Sequence, residues 1–180
     1  MKVFIDPGHG GEDPGAVGPT GYMEKEFNLR TATLLELACQ WRGWDTFMSR
    51  NQDFNVGERD SAIKANIWEA DVYVSIHANG GPNHAGGCEI LYWNTSSRSR
   101  LLAREVQTQI LHRLPWLRDR GLKPKFPGDR GATILRRTEM PAILVEPMFV
   151  TNPSEEQALR RFGTQAQIAD AIIESVDLWV

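Results

Sequence analysis

The sequence predicts an α/β domain on three observations. Short apolar runs alternate with helical patterns, loops rich in glycine and proline divide them, and no linker, internal repeat or low-complexity tract breaks the alternation. Lys2 to Asp6 reads as a first strand leading into a glycine-rich loop. A helix follows over about Glu24 to Arg42, where Phe27, Leu34, Leu35, Ala38 and Trp41 recur at helical spacing. Trp44 to Ser49 reads as a second strand, with Trp41 and Trp44 both in the core, and Asn55 to Glu69 as a helix. Asp71 to His77 is a strand rich in β-branched residues, and Cys88 to Trp93 another, separated by a Gly-Gly-Pro-Asn-His-Ala-Gly-Gly loop. Ser96 to Leu114 has the pattern of a long amphipathic helix. Three prolines and three glycines make Pro115 to Gly131 mostly loop, and Ala132 to Arg136 and Ala142 to Glu146 are the last strands. Two helices finish the chain, the first capped by Asn152 ahead of Pro153, the second from about Gln165 to Leu178.

Composition narrows the function. A chain of 180 residues, 41% of them hydrophobic, is within the range of one domain that buries its own core, so residues 1–180 are read as a single unit. With 23 acidic and 20 basic side chains the net charge is −3, which lacks the basic excess that nucleic-acid binders use to neutralise phosphates. No apolar run approaches the roughly 18–20 residues needed to span a bilayer, so no membrane insertion is expected. Met1 to Asp6 is too short and too soon interrupted to be a secretory signal, which implies synthesis in the cytoplasm. Cys39 and Cys88 offer neither a disulfide framework nor metal-ligand spacing and read as buried free thiols.

Three apolar strands end in polar groups: Val3-Phe4-Ile5 leads to His9, Val72 to Ile76 leads to His77, and Ile143-Leu144-Val145 leads to Glu146. In open α/β sheets ligands gather outside the carboxyl ends of strands, so these groups can converge. Two imidazoles and a carboxylate suit zinc, whose catalytic sites take three protein ligands and leave one position for water. The carboxylate is to be chosen among Glu12, Glu24 and Glu26. Helix phase puts Glu24 on the side of Phe27 and Leu35, and Glu26 on the opposite face with Arg30. Glu12, three residues after His9, remains a competitor. Asp6 to Gly11 could also cradle phosphate, although it has neither a dinucleotide fingerprint nor a Gly-Lys-Ser/Thr ending. Glu146 needs a partner if it is buried, and Arg136 and Arg137 are at hand. Arg50, Arg59 and Arg120 could each grip a substrate carboxylate. His84 and His112 read as exposed, and Trp93 and Trp116 as residues that could flank a sugar groove.

Six segments in order, IDPGHGGEDPGAVG at 5–18, EKEFNL at 24–29, Arg59 with Ala65-Asn66, ADVYVSIHANG at 70–80, DRGLK at 119–123 and MPAILVEPMFVTNPSEE at 140–156, are spread over most of the length of the chain. Together they resemble the zinc-dependent N-acetylmuramoyl-L-alanine amidases of bacterial cell separation, sporulation and phage lysis. The resemblance implies a six-stranded mixed sheet of zinc-carboxypeptidase-like outline. It further implies His9, Glu24 and His77 as ligands of one zinc ion, and Glu146 as the catalytic carboxylate. Asn79 and Arg59 are then expected to contact substrate. The family commonly has Gly-Phe after the catalytic glutamate, where this chain has Pro147-Met148-Phe149, implying a changed loop or substrate preference. The expected reaction is hydrolysis of the amide joining N-acetylmuramic acid to the L-alanine of the stem peptide. Peptidoglycan is thus the expected partner of a monomer without a separate wall-binding module, reaching the wall after release. The alternatives are a zinc carboxypeptidase or endopeptidase acting within the stem, and a peptidoglycan-binding relative without turnover.

Overall fold

The computed structural model describes residues 1–178. Along the chain come β1 (Lys2–Pro7), α1 (Glu24–Trp41), β2 (Asp45–Met48), α2 (Glu58–Ile67), β3 (Val72–Ile76) and β4 (Cys88–Trp93). They are followed by α3 (Ser97–Arg113), β5 (Asp119–Lys125), α4 (Ala132–Arg137), β6 (Ala142–Glu146), α5 (Pro153–Leu159) and α6 (Phe162–Asp177). The strands form one six-stranded sheet in the order β2-β1-β3-β6-β4-β5. The pairs among β2, β1, β3 and β6 are parallel, β6 and β4 are antiparallel, and β4 and β5 are parallel to each other. The sheet is therefore mixed, as expected.

Side-chain alternation divides the core into two layers. Val3, Ile5, Val72, Val74, Ile76, Ile90, Ile143 and Val145 pack on one face with residues of α1, α3 and α6. Phe4, Tyr73, Leu91 and Leu144 pack on the other with Ala65 of α2 and Ile134 and Leu135 of α4. Because both faces are covered, the central strands β1, β3 and β6 are almost continuously buried, which is why they read as unbroken apolar runs. Asp6 is accommodated by hydroxyls: Ser61 and Ser75 donate to its two carboxylate oxygens at 2.7 and 2.8 Å, tying α2 to β1 and β3. No described helix is long and apolar enough to cross a membrane.

The structure corrects three expectations. Residues 119–125, expected as loop, form edge strand β5; Pro124 is tolerated because an edge strand need not donate on its outer side. Residues 132–136, expected as a strand, lie in helix α4, a case where a short apolar run has no period to distinguish the two. Trp41, expected in the core, is 92% exposed in the last turn of α1, whereas Trp44 is half-buried against the core. Cys39 and Cys88 are buried free thiols, as read. Burial pushes the Cys39 thiol up to about 12.

Arg50 is buried and donates to four backbone carbonyls, those of Pro7, Gly8, Lys25 and Gln52. It holds the loop after β1 against the start of α1 and is spoken for structurally, so it is no substrate clamp. Arg50→Leu strands those carbonyls and should lower unfolding free energy by about 3 kcal/mol. Urea denaturation measures this; a loss under about 1 kcal/mol would contradict the clamp.

Candidate metal centre

The carboxyl ends of β1 and β3 and the first residue of α1 deliver three side chains to one place. His9 stands two residues beyond β1, in a loop whose backbone continues the sheet through the Gly8 N–H to the Ile76 carbonyl. It is held at φ 62°, a left-handed conformation rare outside glycine, beside Gly10 and Gly11, which also have positive φ. His77 follows β3 directly, its N–H bonded to the Val145 carbonyl of β6. Glu24 is buried at the start of α1. Its Oε1 lies 2.9 Å from His77 Nδ1 and 3.3 Å from His9 Nε2.

Donor atoms of the three residues all lie within 4.8 Å of one another, so they could hold a metal ion. Two imidazole nitrogens and a carboxylate oxygen suit zinc. The second nitrogen of His9, Nδ1, meets Asp13 Oδ2 at 2.8 Å, which fixes the ring with Nε2 toward Glu24. Such carboxylate–histidine pairing is typical of metal-ligating histidines. Two glycines make room: a Cβ on Gly8 would overlap the His77 imidazole, and one on Gly15 would come within 2.6 Å of Glu24 Oε2 and 2.7 Å of His9 Cδ2. Gly8, within the stretch weighed as a phosphate cradle, thus serves with Gly15 as the floor under the imidazoles and carboxylate. Glu12 is exposed and outside the cluster, so Glu24 is the carboxylate present.

Charge makes the cluster a competition between protons and cation. Burial alone would lower the His9 pKa, but the Glu24 and Asp13 carboxylates outweigh it and lift it to about 9. Burial would raise that of Glu24, but hydrogen bonds from His77 and His9 hold it well below the carboxylate range. A divalent cation would replace those protons as the partner of Glu24.

Beside the cluster a second group lies across β6 and β4. Glu146, the last residue of β6, is buried and pairs in register with Glu89 of β4. Asn79 Nδ2 bridges them, at 2.8 Å from Glu89 Oε1 and 2.9 Å from Glu146 Oε2. Arg120 donates from Nε to Glu89 Oε2 at 2.7 Å, and Arg130 donates to Glu146 Oε1. Burial, opposed by Arg130 and His77 and reinforced by Glu89, raises the Glu146 pKa to about 7. Burial would also raise that of Glu89, but the Arg120 hydrogen bond keeps it below its ordinary value.

Known proteins match the chain in sequence and in fold. Residues 3–177 fit the sequence profile described as N-acetylmuramoyl-L-alanine amidase. The chain belongs to the N-acetylmuramoyl-L-alanine amidase family. A crystal structure of an amidase from Clostridium difficile 630 is similar, with a TM-score of 0.92 and 38% identity over 99% of this chain and 95% of that one. The uncharacterized protein YqiI of Bacillus subtilis is 35% identical over 97% of this chain and 82% of its own length. The amidase LytC of the same organism is 32% identical over 94% of this chain, which spans only 34% of LytC. The amidase fold and hydrolase family expected from the motifs are therefore present.

Other residues fall differently within this amidase domain. Asn79, expected to meet substrate, gives its amide to the two glutamates. Arg59 is exposed on α2 and makes no polar contact with the cluster. Arg120 is engaged by Glu89 and lies 4.8 Å over the Phe149 ring. The partner of Glu146 is Arg130 and not Arg136 or Arg137, which are exposed on α4. Met148, at the position of the family glycine, is buried in the core. His84 and His112 are exposed. Trp93 closes β4 at the end of the sheet opposite Glu146, and Trp116 is 54% exposed, so the two do not frame a groove at the cluster. Glu89 and Arg130 were missed. β4 runs against β6, so its amino end reaches the site, and Arg130 arrives on a loop that carries no strand signal.

The glycine floor gives a direct test. Gly8→Ala should fold but bind zinc at least tenfold more weakly, because the new methyl displaces His77; competition with a chromophoric chelator reads this. Unchanged affinity would mean that His77 does not reach the ion.

Proposed function

We propose that this protein is a zinc hydrolase of bacterial peptidoglycan that cuts the amide between the lactyl group of N-acetylmuramic acid and the L-alanine of the stem peptide. One observation carries the reading: His9, Glu24 and His77 converge at one end of the sheet, where a buried carboxylate of raised pKa, Glu146, also sits. His9 Nε2, Glu24 Oε1 and His77 Nδ1 would hold one zinc ion. When bound there, zinc polarises the scissile carbonyl and brings the pKa of water down to about 7. Glu146 takes the proton from the attacking water and delivers it to the departing L-alanine nitrogen. A carboxylate whose pKa is near neutrality can serve in both directions at neutral pH. No serine or cysteine nucleophile is required. Acting as a monomer, the protein reaches the wall after release, in phage lysis or sporulation, or as the catalytic part of an exported enzyme.

Mass spectrometry of purified wall treated with zinc-loaded protein tests the bond. New L-alanine amino termini are expected; release of D-alanine or internal stem fragments would make it a carboxypeptidase or endopeptidase instead. Glu146→Gln should keep one zinc per chain and lose at least 100-fold in kcat. Wild-type turnover in that variant would remove Glu146 from the reaction.

The acid limb of activity follows from the same carboxyl group. Glu146 must be ionised to accept a proton, so kcat/KM should fall as pH drops through about 7. Arg130 lowers the Glu146 pKa, so Arg130→Met should shift this limb upward by about one pH unit. A limb that stays put or moves downward would show that Glu146 does not govern it.

A further inference from the structure

We propose that Glu89, clamped by Arg120, is a positioning residue that orients the Glu146 carboxyl group through the side-chain amide of Asn79. The proposal rests on the reading of Glu146 as the proton-transfer group.

Two glutamates directly opposite each other on antiparallel strands are an arrangement that ordinary folding disfavours, since like charges repel at this spacing. Here both are buried, at 8% and 2% exposure. Burying two carboxylates is costly unless each is hydrogen-bonded, so their placement calls for a reason. The hydrogen bonds supply one. The Asn79 amide cannot be turned over, because its Oδ1 accepts from the Gly80 N–H at 2.9 Å while Nδ2 faces the carboxylates. The Asn79 backbone is in turn pinned, its N–H to the Met148 carbonyl and its carbonyl to the Val150 N–H.

On the far side of Glu89 stands Arg120, donating to Oε2 with its guanidinium over Phe149. Phe149 is itself anchored, its N–H donating to Glu155 Oε2 at 2.6 Å. A fixed chain therefore runs Phe149–Arg120–Glu89–Asn79 and ends on Oε2 of Glu146. The other oxygen, Oε1, meets Arg130, whose side chain is 58% exposed on the loop between β5 and α4. One oxygen of Glu146 is thus held by the interior and the other by a group at the surface. This division leaves Oε1 to exchange the proton while Oε2 sets the plane of the carboxyl group. The charged groups around the pair are Arg130 from that loop, His77 from the end of β3, and Arg120 and Lys123 from β5.

The test uses the zinc-loaded protein with Glu89→Gln, which keeps shape and the amide-carbonyl acceptor but removes the charge that Arg120 clamps, and Arg120→Met, which removes the clamp from the rim. Each is compared with Glu146→Gln for zinc per chain, melting temperature, kcat and KM on purified wall fragments. Both variants should hold one zinc with unchanged KM and lose roughly tenfold in kcat. Wild-type kcat in Glu89→Gln, beside an inactive Glu146→Gln, overturns the positioning role and leaves the reaction assignment standing. A raised KM with unchanged kcat reassigns Glu89 and Arg120 to substrate binding and overturns it equally. Full turnover in Glu146→Gln overturns both. If Glu89→Gln does not fold, Arg120→Met alone decides by the same split.

Discussion

An ionised carboxylate at 1% exposure cannot be left without partners, and the burial of Glu24 at the first turn of α1 imposes its demands on everything around it. Its Oε2 accepts from the Ala16 N–H at 2.9 Å and its Oε1 from the Ala78 N–H at 3.1 Å, so the loop after β1 and the turn after β3 are both drawn onto it. Two imidazoles complete its surroundings, and Gly8 and Gly15 let them approach. Arg50 and Asn28 then hold the Gly8 carbonyl from beneath, which stabilises a backbone carrying His9 in a left-handed conformation. Such strain is sustained only where the surroundings over-determine it.

The mixed sheet supplies the second half of the arrangement. Had all six strands been parallel, only carboxyl ends would meet at the cluster. Reversing β4 and β5 brings their amino ends to the same place, and with them Glu89 and Arg120. The result is a set of donors suited to a cation beside a carboxyl group that is hydrogen-bonded on both oxygens. Electrostatics then distinguishes the carboxylates: Glu24 is drawn toward ionisation by its histidines, while burial and Glu89 draw Glu146 toward neutrality.

Much of this was legible in the sequence because the strongest signals are local. The strands β1, β3 and β6 are buried on both faces and announce themselves as apolar runs. Helix phase placed Glu24 on the buried side of α1, where it lies together with Phe27 and Leu35. What escaped depends on tertiary pairing. β5 carries turn residues that only an edge position excuses, and six residues of α4 have too little length to show a period. The Glu89 partnership is set by antiparallel register, which no local pattern encodes. Trp41 continues the row of Leu34 and Ala38, which are only half-buried at the margin of the stripe formed by Phe27, Thr31, Leu35 and Cys39, so its spacing is helical while its side chain faces out.

X-ray absorption at the zinc edge of the loaded protein tests whether His9, Glu24 and His77 hold the ion, because it counts and types the atoms around it. Two imidazoles are expected among nitrogen and oxygen neighbours at about 2.0–2.2 Å, with no sulfur. Sulfur at about 2.3 Å, or a first sphere lacking two imidazoles, would contradict this ligand set.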